Sequence, residues 1–328
     1  MIDLHKLKDI LENNNSFVVT THVNPDADAI GSQMAMYRIL KKLNKKVYAI
    51  NHSYTPYYLE FLDEEKAIEK YDAGKHEKII LEAEVIIIVD LNFVNRTVSM
   101  EKAIRESSAV KICIDHHQEP ENFFNYKFCG TEYSATGEII YEFLKETKIV
   151  ELDYNIAVLL YAAIMTDTGS FRFERTSPKI HRIIADLLEL GVDPTSVYDK
   201  IYDQSRFSKI KLLGESLAGI QLNEAKNIGW MVITREMLNR TNADESEVDG
   251  FVNFCLSIEN VKIGILFFEL KDGIKVSFRS KGNINVNKLA AEFGGGGHAN
   301  ASGTRLFHAD LDEYISKILK SAEKYLLN

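Results

Sequence analysis

The chain has 328 residues, 48 acidic and 39 basic side chains for a formal net charge of −9, and is 45% hydrophobic and 27% charged. That length accommodates two domains with sizeable cores, and the composition is that of a globular protein rather than a disordered or fibrous one. The acidic balance excludes a protein that coats long nucleic acid through many phosphate contacts, but not one that holds a small anionic substrate through metal ions. Cys113, Cys129 and Cys255 are too widely spaced for a disulfide framework or a Cys-x-x-Cys zinc site and read as structural thiols. The N-terminus lacks the apolar core of a signal peptide, and no uninterrupted apolar run, 85–89 included, is long enough to span a bilayer. No membrane association is expected, and a cytoplasmic location is.

Leu4, Leu7, Ile10 and Leu11 fall at helical spacing, and 16–21 reads as a strand. The loop 22–28, His-Val-Asn-Pro-Asp-Ala-Asp, leads to a helix with apolar residues at Ile30, Met34, Tyr37, Leu40 and Leu43, for which Asp28 is the expected N-cap. The next strand is 46–50. Residues 85–89 are apolar at every position and 110–114 at every position but Lys111, as suits parallel strands covered on both faces, and they end in Asp90 and Asp115. With a helix at 100–107 between them, the alternation predicts βαβ units and a mostly parallel sheet flanked by helices. Helices are predicted at 134–146, 153–165 and 177–190, the last closed by Gly191.

The expected organisation is an α/β N-terminal domain over 1–193, a helical linker over 194–217 and a smaller α+β domain over 218–328, facing each other across a cleft. Strands are predicted at 229–233, 261–270 and 274–278, with a turn at 271–273. A short helix at 285–293 runs into Gly294-Gly295-Gly296-Gly297-His298, and an amphipathic helix at 311–326 ends the pattern.

Chemistry gathers at the predicted strand ends. His22, Asp26 and Asp28 follow the first strand, Asp90 ends another, His116 follows a third in Asp115-His116-His117, and Asp167 lies in a polar turn, 166–170. Singly, each has a bland reading as a cap, turn or strand terminator. Together, four carboxylates and two imidazoles at one rim would repel strongly without cations. Two divalent ions balance them, and mixed oxygen and imidazole donors suit Mn²⁺, with Mg²⁺ or Co²⁺ as alternatives. Two such ions about 3.5–4 Å apart serve phosphoester hydrolysis, in which a bridging hydroxide attacks phosphorus. Gly31 and Ser32, in the first turn of the helix after 22–28, would let a phosphate approach backbone N–H groups.

The segments 22–32 (HVNPDADAIGS), 89–90 (VD), 115–117 (DHH) and 166–171 (TDTGSF) resemble the four ordered motifs of the DHH phosphoesterases. Phe278-Arg279-Ser280 and the run GGGGHANASG at 294–303 are similar to the DHH-associated C-terminal domain. Within that family the chain looks closest to the bacterial branch of oligoribonucleases that also dephosphorylate pAp (3′-phosphoadenosine 5′-phosphate). The resemblance implies that His22 and Asp26 hold one metal and that Asp28, His116 and Asp167 hold a second, with Asp90 bridging. It implies that His117 meets the scissile phosphate and assists the leaving oxygen, while Asp115 orients an imidazole. It further implies substrate binding by Arg279, Ser280, Gly295, Gly296, Gly297 and His298. Arg96 and Ser134 are additional candidate contacts, although a solvated Arg and a helix-opening Ser account for them equally. The implied partners are short RNAs and pAp, with hydrolysis to mononucleotides and AMP, and a homodimer.

Other functions fit the same motifs. Hydrolysis of linear or cyclic dinucleotides would use the same site. Inorganic pyrophosphatase or exopolyphosphatase activity should need a more basic second domain than Arg279, Lys281 and Arg305 supply. A non-catalytic nucleotide sensor would lack a metal ligand, and all six are present.

Overall fold

The computed structural model describes residues 2–326. Met1, Leu327 and Asn328, at the ends of the two expected domains, lie outside the described residues. The chain divides into two units, one ending at Gln204 and the other beginning at Ser205. In the first unit, β1 (Ser16–Thr20), β2 (Lys46–Asn51), β3 (Ile68–Lys70), β4 (Val85–Val89), β5 (Val110–Asp115) and β6 (Tyr126–Cys129) form one sheet, every pairing parallel, in the order β3-β2-β1-β4-β5-β6. The helices are α1 (Leu4–Asn13), α2 (Ala27–Lys42), α3 (Ala73–Glu82), α4 (Glu101–Glu106), α5 (Thr136–Thr147), α6 (Tyr154–Asp167), α7 (Pro178–Glu189) and α8 (Pro194–Tyr202).

The apolar runs explain the layering. Side chains alternate across a strand, and Val85, Ile87 and Val89 of β4 enter one core with Met34 of α2, Phe143 of α5 and Ile164 of α6. Ile86 and Ile88 enter a second core on the opposite face with Ile80 of α3 and Ile104 of α4. The expected mostly parallel, helix-flanked sheet is therefore present. Its strand order reverses between β1 and β4, the point at which doubly wound sheets bind ligands beyond their strands' carboxyl ends.

Two short edge strands, β3 and β6, and helix α3 have no counterpart among the sequence-based expectations. The N-cap of α2 also differs: Asp26, not Asp28, accepts the Ala29 N–H, at 3.0 Å. Asp28 is the second residue of the helix, with its carboxylate directed to other groups. The stretch 194–217, expected as a linker, consists of α8 in the first unit and α9 (Phe207–Ala218) in the second.

The second unit has its own sheet, built from β7 (Gln221–Leu222), β8 (Ile228–Ile233), β9 (Ile263–Leu270), β10 (Gly273–Ser280), β11 (Gly296–Gly297) and β12 (Ala301–Phe307) in the order β11-β12-β10-β9-β8-β7. Only β8–β9 is parallel among these pairings. Helices α10 (Arg235–Thr241), α11 (Val252–Leu256), α12 (Val286–Ala291) and α13 (Leu311–Lys324) complete it. Its largest core joins Phe267, Val276 and Phe278 to Leu289 of α12 and Ile318 of α13. Among the described residues no helix is long and apolar enough to cross a membrane.

Helix α2 packs on α6 through Gly31, where a Cβ would stand 2.5 Å from the Leu159 carbonyl oxygen. That neighbour is backbone and cannot swing aside. Gly31→Ala should thus destabilise by up to about 2 kcal/mol net, an overpacking cost of about 1–3 kcal/mol against the roughly 1 kcal/mol that Ala gains over Gly in a helix. Gly214 of α9 has nothing within 4 Å of its would-be Cβ, so Gly214→Ala should stabilise by about 0.5–1 kcal/mol. Thermal unfolding of the two variants should move in opposite directions; a neutral or stabilising Gly31→Ala contradicts the close packing.

Candidate metal centre

Three strand ends and two helices bring the expected ligands together. β1 runs into His22, β4 into Asp90 and β5 into Asp115-His116. Asp26 and Asp28 stand at the start of α2, and Asp167 is the last residue of α6. Asp90 leaves β4 in the left-handed region (φ 54°) while its N–H donates to the Ile114 carbonyl. The side chains fall into sets whose ligand atoms lie within 4.8 Å of one another: His22, Asp26 and Asp90; Asp28, His116 and Asp167; and Asp90, His116 and His117.

The neighbours orient these donors. His22 Nδ1 lies 2.9 Å from the Val23 carbonyl, which can only accept, so Nδ1 carries the hydrogen. Nε2 then faces Asp90 Oδ2 at 3.4 Å and is the ring nitrogen that a metal ion could take. His116 Nε2 is 3.0 Å from Asp167 Oδ2 and 3.5 Å from Asp90 Oδ1. Asp115 is wholly buried and belongs to none of these sets, but its Oδ1 lies 2.6 Å from Nδ1 of His117, a member of the third. His117 is thereby held with its Nε2 as the outward nitrogen.

Three residues hold Asp28: Thr136 and Gly137, which the sequence reading missed, and Ser32, which it read as room for a phosphate. The Thr136 and Gly137 N–H groups donate to its two carboxylate oxygens at 2.7 and 3.0 Å, and Ser32 Oγ donates at 2.9 Å. The Thr136 hydroxyl also donates to Asp90 Oδ1 at 3.2 Å. Ser32 was visible four residues beyond Asp28, one helical turn away. Nothing in the spacing links residue 136 to residues 28 and 90; only the fold does.

The electrostatics suit cations. Burial is the largest influence raising the Asp28 carboxyl well above its ordinary value, followed by the charges of Asp90 and Asp167. Enclosure, then Asp90, pushes Asp26 up to about 6, although its side chain reaches the surface. Burial opposes ionisation of Asp90 as well, but hydrogen bonds from His116 and His22 outweigh it and hold Asp90 well below the carboxylate range. Burial alone would lower both imidazoles; the carboxylates overcome it and raise His22, and His116 further. In the absence of cations, protons are recruited to neutralise the cluster. Four carboxylates with two imidazoles, in two sets of three, fit two divalent ions in charge and donor chemistry.

The remaining candidates are dispersed. Arg96 is near the centre: its carbonyl accepts the Val23 N–H at 2.9 Å, and its charge disfavours protonation of His22. Ser134 is buried, and its hydroxyl donates to Glu138 at 3.0 Å. In the second unit, Ala301 and Ser302 of β12 lie between Phe278–Arg279 of β10 and Gly297 of β11. Arg279 donates to the Phe278 carbonyl at 3.0 Å, and Ser280 Oγ donates to Ile284 O at 2.5 Å. A Cβ on Gly295 would stand 2.2 Å from the Gly303 carbonyl oxygen, so the bare backbone there serves the hairpin itself. The Gly295 and His298 N–H groups donate to Ala290 and Ala301. Gly296 and Gly297 form β11.

One pH dependence follows from Asp26. Its folded pKa of about 6 exceeds the ordinary carboxylate value of about 4. Between those values the metal-free native state keeps a proton that the unfolded chain has released. Its contribution to stability therefore falls as pH rises from about 4 to about 6. Divalent ions replace that proton. Saturating Mn²⁺ over EDTA should raise the Tm by about 5–10 °C at pH 7.5 and by less at pH 5; equal Tm values with and without metal at pH 7.5 would contradict a metal centre.

Residues 16–164 match the DHH family N-terminal domain and residues 230–327 match the DHHA1 domain. The chain is similar to the bifunctional oligoribonuclease and PAP phosphatase NrnA of Thermus thermophilus, with 29% identity over 312 residues, 94% of this chain and 89% of that protein. The crystal structure of an exopolyphosphatase-related protein from Bacteroides fragilis is matched with a TM-score of 0.92 and 32% identity, over 98% of this chain and 96% of that one. The fold is also that of RecJ from Thermus thermophilus, solved in complex with Mn²⁺, at a TM-score of 0.59 and 11% identity, over 98% of this chain and 55% of RecJ. With both domains matched in order and a relative of 32% identity aligned along nearly its whole length, the chain belongs to the DHH family, a DHH domain followed by a DHHA1 domain.

Proposed function

We propose that this protein is a metal-dependent phosphoesterase that hydrolyses short oligoribonucleotides to mononucleotides and pAp to AMP. The observation that carries the reading is the meeting of His22, Asp26, Asp28, Asp90, His116 and Asp167 at the sheet's switch point, with His117 beside them. The name of the Thermus relative points to the substrates, and the substrate class to the cytoplasm. His22 and Asp26 would hold one ion, Asp28, His116 and Asp167 the other, and Asp90 both. Mn²⁺ suits these donors best. When bound, the ions supply charge neutralisation for the phosphoryl oxygens and acidify water.

The chain's own residues do the rest. Thr136 donates to Asp90, and Thr136, Gly137 and Ser32 to Asp28, so both carboxylates are positioned before substrate arrives. Asp115 holds His117 Nδ1, which leaves Nε2 to contact the scissile phosphate and to protonate the departing ester oxygen. Arg279 and His298 supply cationic and donor groups for a second phosphate, and Arg96 a further one near His22.

A Mn²⁺-supplemented panel of pAp, a diribonucleotide, a five-nucleotide RNA, a cyclic dinucleotide and pyrophosphate tests the reading. Turnover of pAp and short RNA should dominate; preferential cleavage of pyrophosphate or the cyclic dinucleotide would overturn the substrate assignment. Asp90→Ala should abolish turnover while the protein stays folded. His117→Ala should lower kcat by about 10²–10⁴-fold with metal-dependent stabilisation intact. Thr136→Val should weaken metal affinity or activity by about 10–100-fold, read by metal titration; wild-type metal affinity in that variant would remove Thr136 from the centre.

A further inference from the structure

We infer that Tyr54, His52 and Lys70, on the metal-centre rim of the first unit, form a subsite for a nucleotide adjacent to the one being hydrolysed. The inference rests on the short-RNA reading above and adds to it a binding site outside the metal centre. These residues follow β2 and close β3, so they lie at the same carboxyl edge of the parallel sheet as His22 and Asp90. Two strand spacings, about 10 Å, separate β1 from β3, within reach of neighbouring nucleotides on an extended strand.

The segment is tied to the centre by a chain of contacts. Asn24, in the loop between His22 and Asp26, donates its N–H to Ser53 Oγ at 3.0 Å. On the other side, His52 Nδ1 is 2.8 Å from Ser99 Oγ and accepts the Ser99 N–H at 3.4 Å. Ser99 lies three residues beyond Arg96, whose carbonyl receives the Val23 N–H. The intervening Val98 sits at φ 49°, an unfavourable conformation for a β-branched residue, on the exposed side of this turn.

The side chains have the chemistry that single-stranded RNA uses: a ring for a base and donors for the backbone. Tyr54 is 73% exposed, and Lys70 Nζ stands 4.3 Å from its ring centroid, backing one face. An aromatic ring so exposed gains nothing from the core, but it offers a face to a base. Because His52 Nδ1 accepts from a backbone N–H, Nε2 carries the hydrogen and can donate to a phosphate oxygen. The nearest acidic group on β3, Glu69, is engaged by Lys75 and His76 rather than by Lys70. A protein of net charge −9 thus presents a local cation, a donor and an aromatic ring next to its candidate metal centre.

The test separates binding from turnover. A fluorescein-labelled five-nucleotide RNA is titrated by anisotropy into full-length Asp90→Ala protein and into the same protein carrying Tyr54→Ala, Tyr54→Phe or Lys70→Gln. Tyr54→Ala should weaken binding about tenfold, the scale of one lost base stack. Tyr54→Phe should bind as the parent does, and Lys70→Gln should reduce the salt dependence. In the otherwise wild-type enzyme, Tyr54→Ala should raise KM for the five-nucleotide RNA and leave pAp hydrolysis unchanged. Undiminished RNA binding by Tyr54→Ala, or an equal loss on pAp, would overturn the subsite, as would failure of the parent to bind RNA. A wild-type enzyme that binds RNA but cleaves neither substrate would count against the function proposed above and not against the subsite.

Discussion

Four aspartates that face one another from the ends of β4 and α6 and the start of α2 are the constraint around which the first unit is organised. Each of these carboxylates would be more comfortable apart, and the raised pKa values of Asp26 and Asp28 express that cost. The fold nevertheless holds them in place with groups that have no other evident purpose. Asp28 is almost completely desolvated yet receives two backbone N–H groups from the first turn of α5, whose positive end faces it, and a hydroxyl from Ser32. Such bonds favour the ionised form, which is the form a metal ligand needs. Burial and the charges of Asp90 and Asp167 outweigh these bonds and raise the Asp28 carboxyl, so without a cation the group favours a proton, which a bound cation would displace.

Helix packing makes this arrangement reachable. Asp28 comes from α2, its amide donors from α5 and Asp167 from α6, so these three helices must approach closely at one end. Gly31 on α2 presses against the Leu159 carbonyl, and Gly137 on α5 would place a Cβ only 2.7 Å from the Ala163 Cβ. Larger residues at either position would wedge the helices apart and draw the donors off Asp28. The Gly31-Ser32 pair, read from sequence as room for a phosphate, acts here on the protein's interior: Gly31 lets α6 approach, and Ser32 is bonded to Asp28. The glycine run of the second unit behaves comparably, since Gly295 is pressed against the backbone of β12.

What the sequence revealed, and what it hid, follows the range of the interactions involved. Strand β4 is an uninterrupted apolar run and β5 is broken only by Lys111 before its end, because both faces are covered, so they were legible with the adjoining Asp90 and Asp115. The six candidate ligands were legible because chemistry repeated at successive strand ends. By contrast, β3 and β6 are short edge strands with the mixed sequences Ile-Glu-Lys and Tyr-Lys-Phe-Cys, and periodicity has little to act on over three or four residues. The exchange of capping roles between Asp26 and Asp28 was hidden because Asp28's partners lie more than 100 residues away, at Thr136 and Gly137. A local rule gave the cap to the residue adjoining the apolar pattern, and a long-range contact drew that carboxylate elsewhere.

A centre of this kind accepts any phosphate ester that can reach it, because its ligands recognise metal and phosphoryl oxygen but neither base nor chain length. Selectivity must therefore come from groups that touch the substrate away from phosphorus. In the second unit the candidates for this role are Arg279 and the residues about β11 and β12, suited to a charged terminus. In the first they are Tyr54, His52 and Lys70, suited to a base and its linking phosphate. The two kinds of group make different demands on the substrate. A bisphosphorylated mononucleotide satisfies the charged contact without a second base, whereas an oligonucleotide can use the aromatic one as well. A single metal centre can then serve both substrates without compromise, since neither set of contacts needs to alter the carboxylates that hold the ions.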